Sequence, residues 1–205
     1  MRSRIGGEPR VVHLSVCLPG TGFRSWVRGL RVSIVASNEI RLLVLDVDGV
    51  LTDGTIFIDD DGCQSRGFHI QDGLGVSLWR SVGRQVAILT SKRSPAVEAR
   101  ARMLGIELIE QGAEDKVPGL ERLVSRTGVS LEETAYAGDD LLDVAVMRRV
   151  GYPIAVANAV EEVKELAAYV TSRSGGRGAV REAIEHLLKR DGQWYAALKA
   201  IGADR

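Results

Sequence analysis

The stretch Leu42-Leu43-Val44-Leu45-Asp46-Val47-Asp48-Gly49-Val50-Leu51-Thr52-Asp53-Gly54 decides how this 205-residue chain is read. Four apolar residues run into two carboxylates two positions apart. A short apolar run that ends near glycine reads as a buried strand of a parallel sheet. Open α/β sheets bind ligands beyond the carboxyl ends of their strands, and this strand delivers Asp46 to that edge. On an ideal strand Asp46 and Asp48 point to the same side. Like charges this close resist joint ionisation. A divalent cation relieves that cost, and magnesium takes carboxylate and carbonyl oxygens.

Outward from this strand the chain alternates. Thr55 to Ile58 and Gly67 to Ile70 flank the acidic turn Asp59-Asp60-Asp61-Gly62 and predict a hairpin. Asp72 to Val82 predicts a helix with Asp72 as N-cap and Leu74, Val76, Leu78 and Trp79 on its apolar side. Strands are predicted at Val86–Thr90, Ile106–Ile109, Thr134–Ala137 and Ile154–Val156. Between and after them, helices are predicted from Pro95 to about Leu104, from Lys116 to about Arg126, and over Leu141–Val150, Val160–Ala168 and Ala179–Lys189. Ser94-Pro95 supplies an N-cap and a first-turn proline. This alternation predicts an α/β fold, a doubly wound parallel sheet with right-handed crossovers. The first crossover holds a small β-hairpin flap and one helix, with no room for a large cap domain.

The bulk properties exclude several classes. Net charge is zero, so no general electrostatic case exists for nucleic acid or an anionic membrane surface. No apolar run approaches the roughly 18 residues that a spanning helix needs. Cys17 and Cys63 form neither a disulfide framework nor a metal pattern, and read as free thiols of a reducing, cytoplasmic compartment. Residues 1–38 carry six arginines against one acidic residue, Glu8, and show no sustained period. They read as an extension, either a disordered tail or residues upstream of a true start near Val32. Residues 39–190 form the predicted domain and residues 191–205 a tail.

Three predicted strand ends offer reactive groups: Asp46 with Asp48, Thr90, and Asp139 with Asp140. Lys116 opens a helix between the last two. Singly, each has a plainer explanation as a cap, a turn residue or a solvated charge. Jointly they are the set that phosphoryl transfer through an aspartyl phosphate needs. One carboxylate attacks phosphorus, and a second protonates the leaving alkoxide and then activates water. A hydroxyl and an ammonium stabilise the non-bridging oxygens, and a further carboxylate holds the metal. Asp143 reads as helix surface or as a support for those ligands.

DVDGVLTDG resembles the first motif, DxDGxxT, of the haloacid dehalogenase-like phosphatases. Ile88-Leu89-Thr90-Ser91, Lys116 and GDDLLD at 138–143 resemble its three later motifs, in order. The flap without a cap, GDDLLDVAVMRRVGYPIAVANA and SGGRGAVRE are similar to the capless sugar-acid phosphatases of that family, over about residues 39–190. The resemblance implies Asp46 as nucleophile and metal ligand, and Asp48 as acid/base and ligand through its carbonyl. It implies Asp139 as third ligand, Mg2+ as cofactor, and Thr90 and Lys116 as phosphoryl holders. It places His69, Ile70, Gln71, Asp72, Gly73 and Arg100 at the sugar site. Ser77 and Lys92 stand there too, where such enzymes commonly have arginine. The implied substrate is a phosphorylated sugar acid, 3-deoxy-D-manno-octulosonate 8-phosphate on the route to lipopolysaccharide, with a sialic-acid-type 9-phosphate as alternative. A homotetramer is implied, with Gly175-Gly176-Arg177-Gly178 and the tail reaching toward a neighbour. Two readings belong to other classes. A phospho-receiver uses the same groups but carries its accepting aspartate on a middle strand. A non-catalytic oligomerisation module would more often have lost at least one of the groups present here.

Overall fold

The computed structural model describes residues 39–204, and the expectations for residues 1–38 lie outside them. The chain begins with β1 (Leu42–Leu45), the flap strands β2 (Phe57–Ile58) and β3 (Gln64–Ser65), and α1 (Ile70–Ser81). It continues through β4 (Gln85–Thr90), α2 (Pro95–Leu104), β5 (Leu108–Gln111) and α3 (Lys116–Thr127). Next come β6 (Thr134–Gly138), α4 (Val144–Met147), β7 (Tyr152–Ala155), α5 (Glu161–Leu166) and β8 (Tyr169–Val170). The last two elements are α6 (Ala179–Arg190) and α7 (Trp194–Ala200).

Six strands form one sheet in the order β5-β4-β1-β6-β7-β8, each neighbouring pair parallel. All four residues of β1 are fully buried, and each such aliphatic side chain contributes roughly 1.5–3 kcal/mol relative to exposure. From β1 the chain winds outward through β4 and β5, then returns to the other side of β1 for β6. The strand order therefore reverses beside β1, which is where open α/β sheets form their crevice. Leu45 pairs with Ile88 on one side and Ala137 on the other. The residues just beyond these, Asp46, Thr90 and Asp139, consequently emerge along one edge. The doubly wound parallel sheet is as expected, and only the flap and α1 separate β1 from β4.

Helix α1 lies along α6 and α7, while α3 covers β4 and β5 and meets α4. The close approach of α1 to α6 depends on Gly75, where a Cβ would stand 3.1 Å from the Arg181 Cα. The two ends of the described chain are tied together. Arg84 pairs with Glu39 at 2.6 Å and with Asp191 at 2.9 Å, and the Ile40 amide donates to Asp191.

Several boundaries differ from the sequence expectation. The return arm of the flap is Gln64–Ser65, not Gly67–Ile70, because both flap strands are exposed and carry no inside-outside alternation. Helix α1 begins at Ile70 with His69 in the N-cap position, so Asp72 lies inside its first turn. Leu74, placed on the apolar side, is largely exposed. Strand β5 starts at Leu108 because Ile106 closes the end of α2: Gly105 turns left-handed and the Ile106 amide donates to the Ala101 carbonyl. Leu141–Val150 divides into a short 3-10 turn, Leu141–Asp143, and the four-residue α4. Strand β8 and helix α7 had no counterpart in the sequence reading.

Candidate active site

Beyond β1 the chain folds into a compact loop. The Thr52 hydroxyl donates to the Val47 carbonyl and accepts from the Gly49 and Gly54 amides. Gly49 adopts φ 95°, and a Cβ there would collide with the Asp139 carboxylate. Glycine is thus required twice, by its conformation and by the approach of β6's acidic end. Asp46, 7% exposed, ion-pairs with the Lys116 Nζ at 2.9 Å. Lys116, the first residue of α3, reaches back under the sheet edge and also pairs with Asp143 Oδ1 at 2.7 Å.

Asp143 is neither surface nor free. Its Oδ1 accepts from Lys116 and from the Tyr136 hydroxyl at 2.6 Å. Its Oδ2 accepts from the amides of Asp139 and Asp140 at 2.8 and 3.1 Å. Both oxygens are spent on the protein, and they hold Lys116 upright and the β6 turn in shape. Asp139 differs: its Oδ1 is buried without a hydrogen-bond partner among the described residues.

Lys116 compensates only part of the charge on these carboxylates. Burial pushes the Asp46 carboxyl up to about 6 in spite of Lys116. Burial, then Asp46 and Asp143, push Asp139 up to about 7. Burial also pulls Lys116 down, but Asp46 and Asp143 outweigh it and hold the ammonium above its ordinary range. Carboxylate oxygens of Asp46, Asp139 and Asp143 lie within 4.8 Å of one another. One lysine against three close acids leaves room for a hard cation, and the oxygen without a partner belongs to Asp139. The donor set therefore fits magnesium through Asp46 and Asp139, with Asp143 as support.

Thr90, 3% exposed, ends β4 next to β1, and its hydroxyl faces the turn that begins with Lys92. Lys92 itself is exposed. The expected sugar-site residues have different surroundings. Arg100 donates to the His69 carbonyl at 3.2 Å and lies over the Phe68 ring, and its guanidinium occupies the space beside Gly73. Ile70 is exposed at the start of α1. Gln71 accepts from Arg173, and Asp72 Oδ1 accepts from the Arg181 amide in the first turn of α6. Asp72 thus caps a neighbouring helix rather than its own. Ser77 is exposed, and its hydroxyl donates to the Gly73 carbonyl one turn back.

The glycine loop at 175–178 packs against the loop that follows β1. The Gly176 amide donates to Val50, Arg177 pairs with Asp53, and Asn158 bridges Gly49 and Gly175. A Cβ at Gly175 would collide with the Gly49 carbonyl, so the loop's glycines serve this close contact.

Residues 99–184 match the family model described as haloacid dehalogenase-like hydrolase. The chain is 41% identical over 160 residues to the 3-deoxy-D-manno-octulosonate 8-phosphate phosphatase KdsC of Escherichia coli (strain K12), covering 78% of this chain and 85% of that one. It belongs to the haloacid dehalogenase-like hydrolases. Among solved structures, the 3-deoxy-D-manno-octulosonate 8-phosphate phosphatase of Yersinia pestis superposes with a TM-score of 0.75 at 40% identity, covering 76% of this chain and 84% of that one. The Moraxella catarrhalis enzyme of the same name, in complex with magnesium ion, phosphate ion and a KDO molecule, superposes with a TM-score of 0.77 at 38% identity. That match covers 80% of this chain and 95% of the other. A phosphatase of this family is what the four motifs implied. Sequence reasoning missed Tyr136 and underrated Asp143. The spacing of GDDLLD was the available signal for Asp143, whereas Tyr136 reads as one more apolar strand residue.

Proposed function

We propose that the chain is a magnesium-dependent phosphatase that hydrolyses a phosphorylated sugar acid, 3-deoxy-D-manno-octulosonate 8-phosphate, to the sugar acid and phosphate. The observation that carries this is the buried Asp46, paired with Lys116 and clustered with Asp139, whose Oδ1 no described residue satisfies, at the sheet's reversal point. The named relatives set the substrate. The Asp46 carboxylate attacks phosphorus, and the bond to the sugar oxygen breaks as the Asp48 carboxyl gives that oxygen its proton. The Lys116 ammonium and the Thr90 hydroxyl donate to the non-bridging oxygens. Asp48 then takes a proton from water, whose oxygen displaces the Asp46 carboxylate from phosphorus and restores it. Asp46, Asp139 and the Asp48 carbonyl would hold the magnesium, which would supply positive charge to offset the repulsion of carboxylate and phosphate.

The carboxylate of the sugar acid needs a cation away from this centre, and Lys92 and Arg100 are the cations we assign to it. Ser77 stands where relatives commonly carry arginine, and its hydroxyl is already committed to Gly73. Ser77→Arg is therefore expected to raise kcat/KM on the octulosonate ester about fivefold, the ~1 kcal/mol of a partly exposed ion pair. A parallel assay with a sialic-acid-type 9-phosphate decides between the two sugar acids. A larger gain on the 9-phosphate would reassign the substrate.

A homotetramer and a cytoplasmic location complete the proposal. Phe57, Ile58, Ile70 and Met103 are exposed apolar side chains that neighbouring subunits would cover. Light scattering should give four times the chain mass, and a monomer at full specific activity would defeat the assembly. Cys63 is an exposed free thiol, as a reducing compartment allows, and no helix of the described residues is long and apolar enough to cross a membrane.

A further inference from the structure

Arg66 follows the return strand of the flap, 18 residues beyond the acid/base candidate Asp48. Its side chain is 1% exposed although the flap around it is open to solvent. The guanidinium donates from Nε to Asp48 Oδ1 at 2.7 Å and from Nη2 to Asp48 Oδ2 at 3.4 Å. Nη1 donates to the Ser94 hydroxyl at 3.1 Å and to Gln64 at 3.5 Å. Ser94 is buried at the N-terminus of α2, just past the Thr90 turn. One buried arginine therefore bridges the flap, the end of β1 and the start of α2.

We propose that Arg66 is the positioning residue for Asp48, fixing the direction in which that carboxyl faces the scissile ester oxygen. This rests on the reading of Asp48 as acid/base given above. The Asp48 side chain is 24% exposed and follows the last residue of β1 by three, so the strand does not fix its rotamer. A planar guanidinium contacting both carboxylate oxygens fixes the plane of the group as well as its position. Proton delivery depends on that alignment, since the donor must lie within hydrogen-bond reach of the oxygen it serves. The arrangement gives the flap a catalytic purpose: it carries the group that sets the acid. Lysine at this place would supply charge without the fork.

The test compares kcat/KM for three esters: the octulosonate phosphate, β-glycerophosphate and p-nitrophenyl phosphate. The first two have alkoxide leaving groups that need a proton, and the third leaves without one. Arg66→Ala is expected to lower kcat/KM on both alkyl esters by about 30-fold or more, part of the 10²–10⁴ that acid–base catalysis supplies. On p-nitrophenyl phosphate the loss should stay within about threefold, for want of a proton to deliver. Arg66→Lys should recover part of the loss, and added guanidinium should recover part of it in Arg66→Ala. An equal fall on all three esters would make Arg66 a structural residue and overturn the proposal. A fall confined to the sugar acid would make it a substrate ligand, and no fall would remove it altogether. If the wild-type chain ignores the octulosonate ester, the substrate assignment fails while the other two esters still decide the role of Arg66.

Discussion

Asp46→Asn is expected to abolish turnover, by roughly 10⁴-fold or more, the scale on which loss of a central catalytic group acts. An amide of nearly the same shape is a poor nucleophile and a weaker metal ligand. The fold should survive. The Asp46 amide keeps its bond to the Ala137 carbonyl. Lys116 keeps its pairing with Asp143, so no buried cation is left without a partner. Burial already works against the Asp46 carboxylate, so neutralising it removes an unfavourable charge. The melting temperature should hold or rise while the steady-state rate on p-nitrophenyl phosphate disappears. Retention of more than a few per cent of the rate would take the nucleophile's role from Asp46.

Asp139→Ala is expected to raise the magnesium concentration needed for half-maximal activity by at least about 100-fold, because even supports of a metal ligand are worth 10–100-fold. Three acids cluster here, but they are not equivalent. Asp143 has both oxygens bound by Lys116, Tyr136 and two amides, whereas Asp139 presents an oxygen that no described residue satisfies. Removing Asp139 therefore takes away a ligand and little else. Its backbone amide still donates to Asp143, and its carbonyl still accepts from Val160. A magnesium titration of activity checks this, with calorimetric titration of the metal as a second readout. An unchanged requirement would place the metal elsewhere.

Much of this was legible in the sequence because the signals were local. The apolar run of β1 is buried on both faces, and its carboxylates had to leave at the strand end. Ser94-Pro95 and Gly105 bound α2 at the predicted residues, and Gly128 ends α3 in the same left-handed way. What the sequence concealed depends on partners far along the chain. Asp72 looked like a cap for its own helix, yet it serves the amide of Arg181. Asp143 looked peripheral until Lys116 and Tyr136 converged on it. Arg66 gave no signal, since an arginine after an exposed strand is ordinary until Asp48 and Ser94 meet it. The flap register was hidden for a different reason: neither face is buried, so no alternation fixed it.

The site formed by Asp46, Lys116 and Asp139 is expected to turn over phosphorylated sugar acids with magnesium. Phosphate release should be measured from a panel of sugar-acid phosphates and simple phosphate esters, with magnesium and again with EDTA. We predict many turnovers on 3-deoxy-D-manno-octulosonate 8-phosphate, a kcat/KM well above that of any simple ester, and no release in EDTA. Release that persists in EDTA, or sugar acids turned over no better than simple esters, would contradict it.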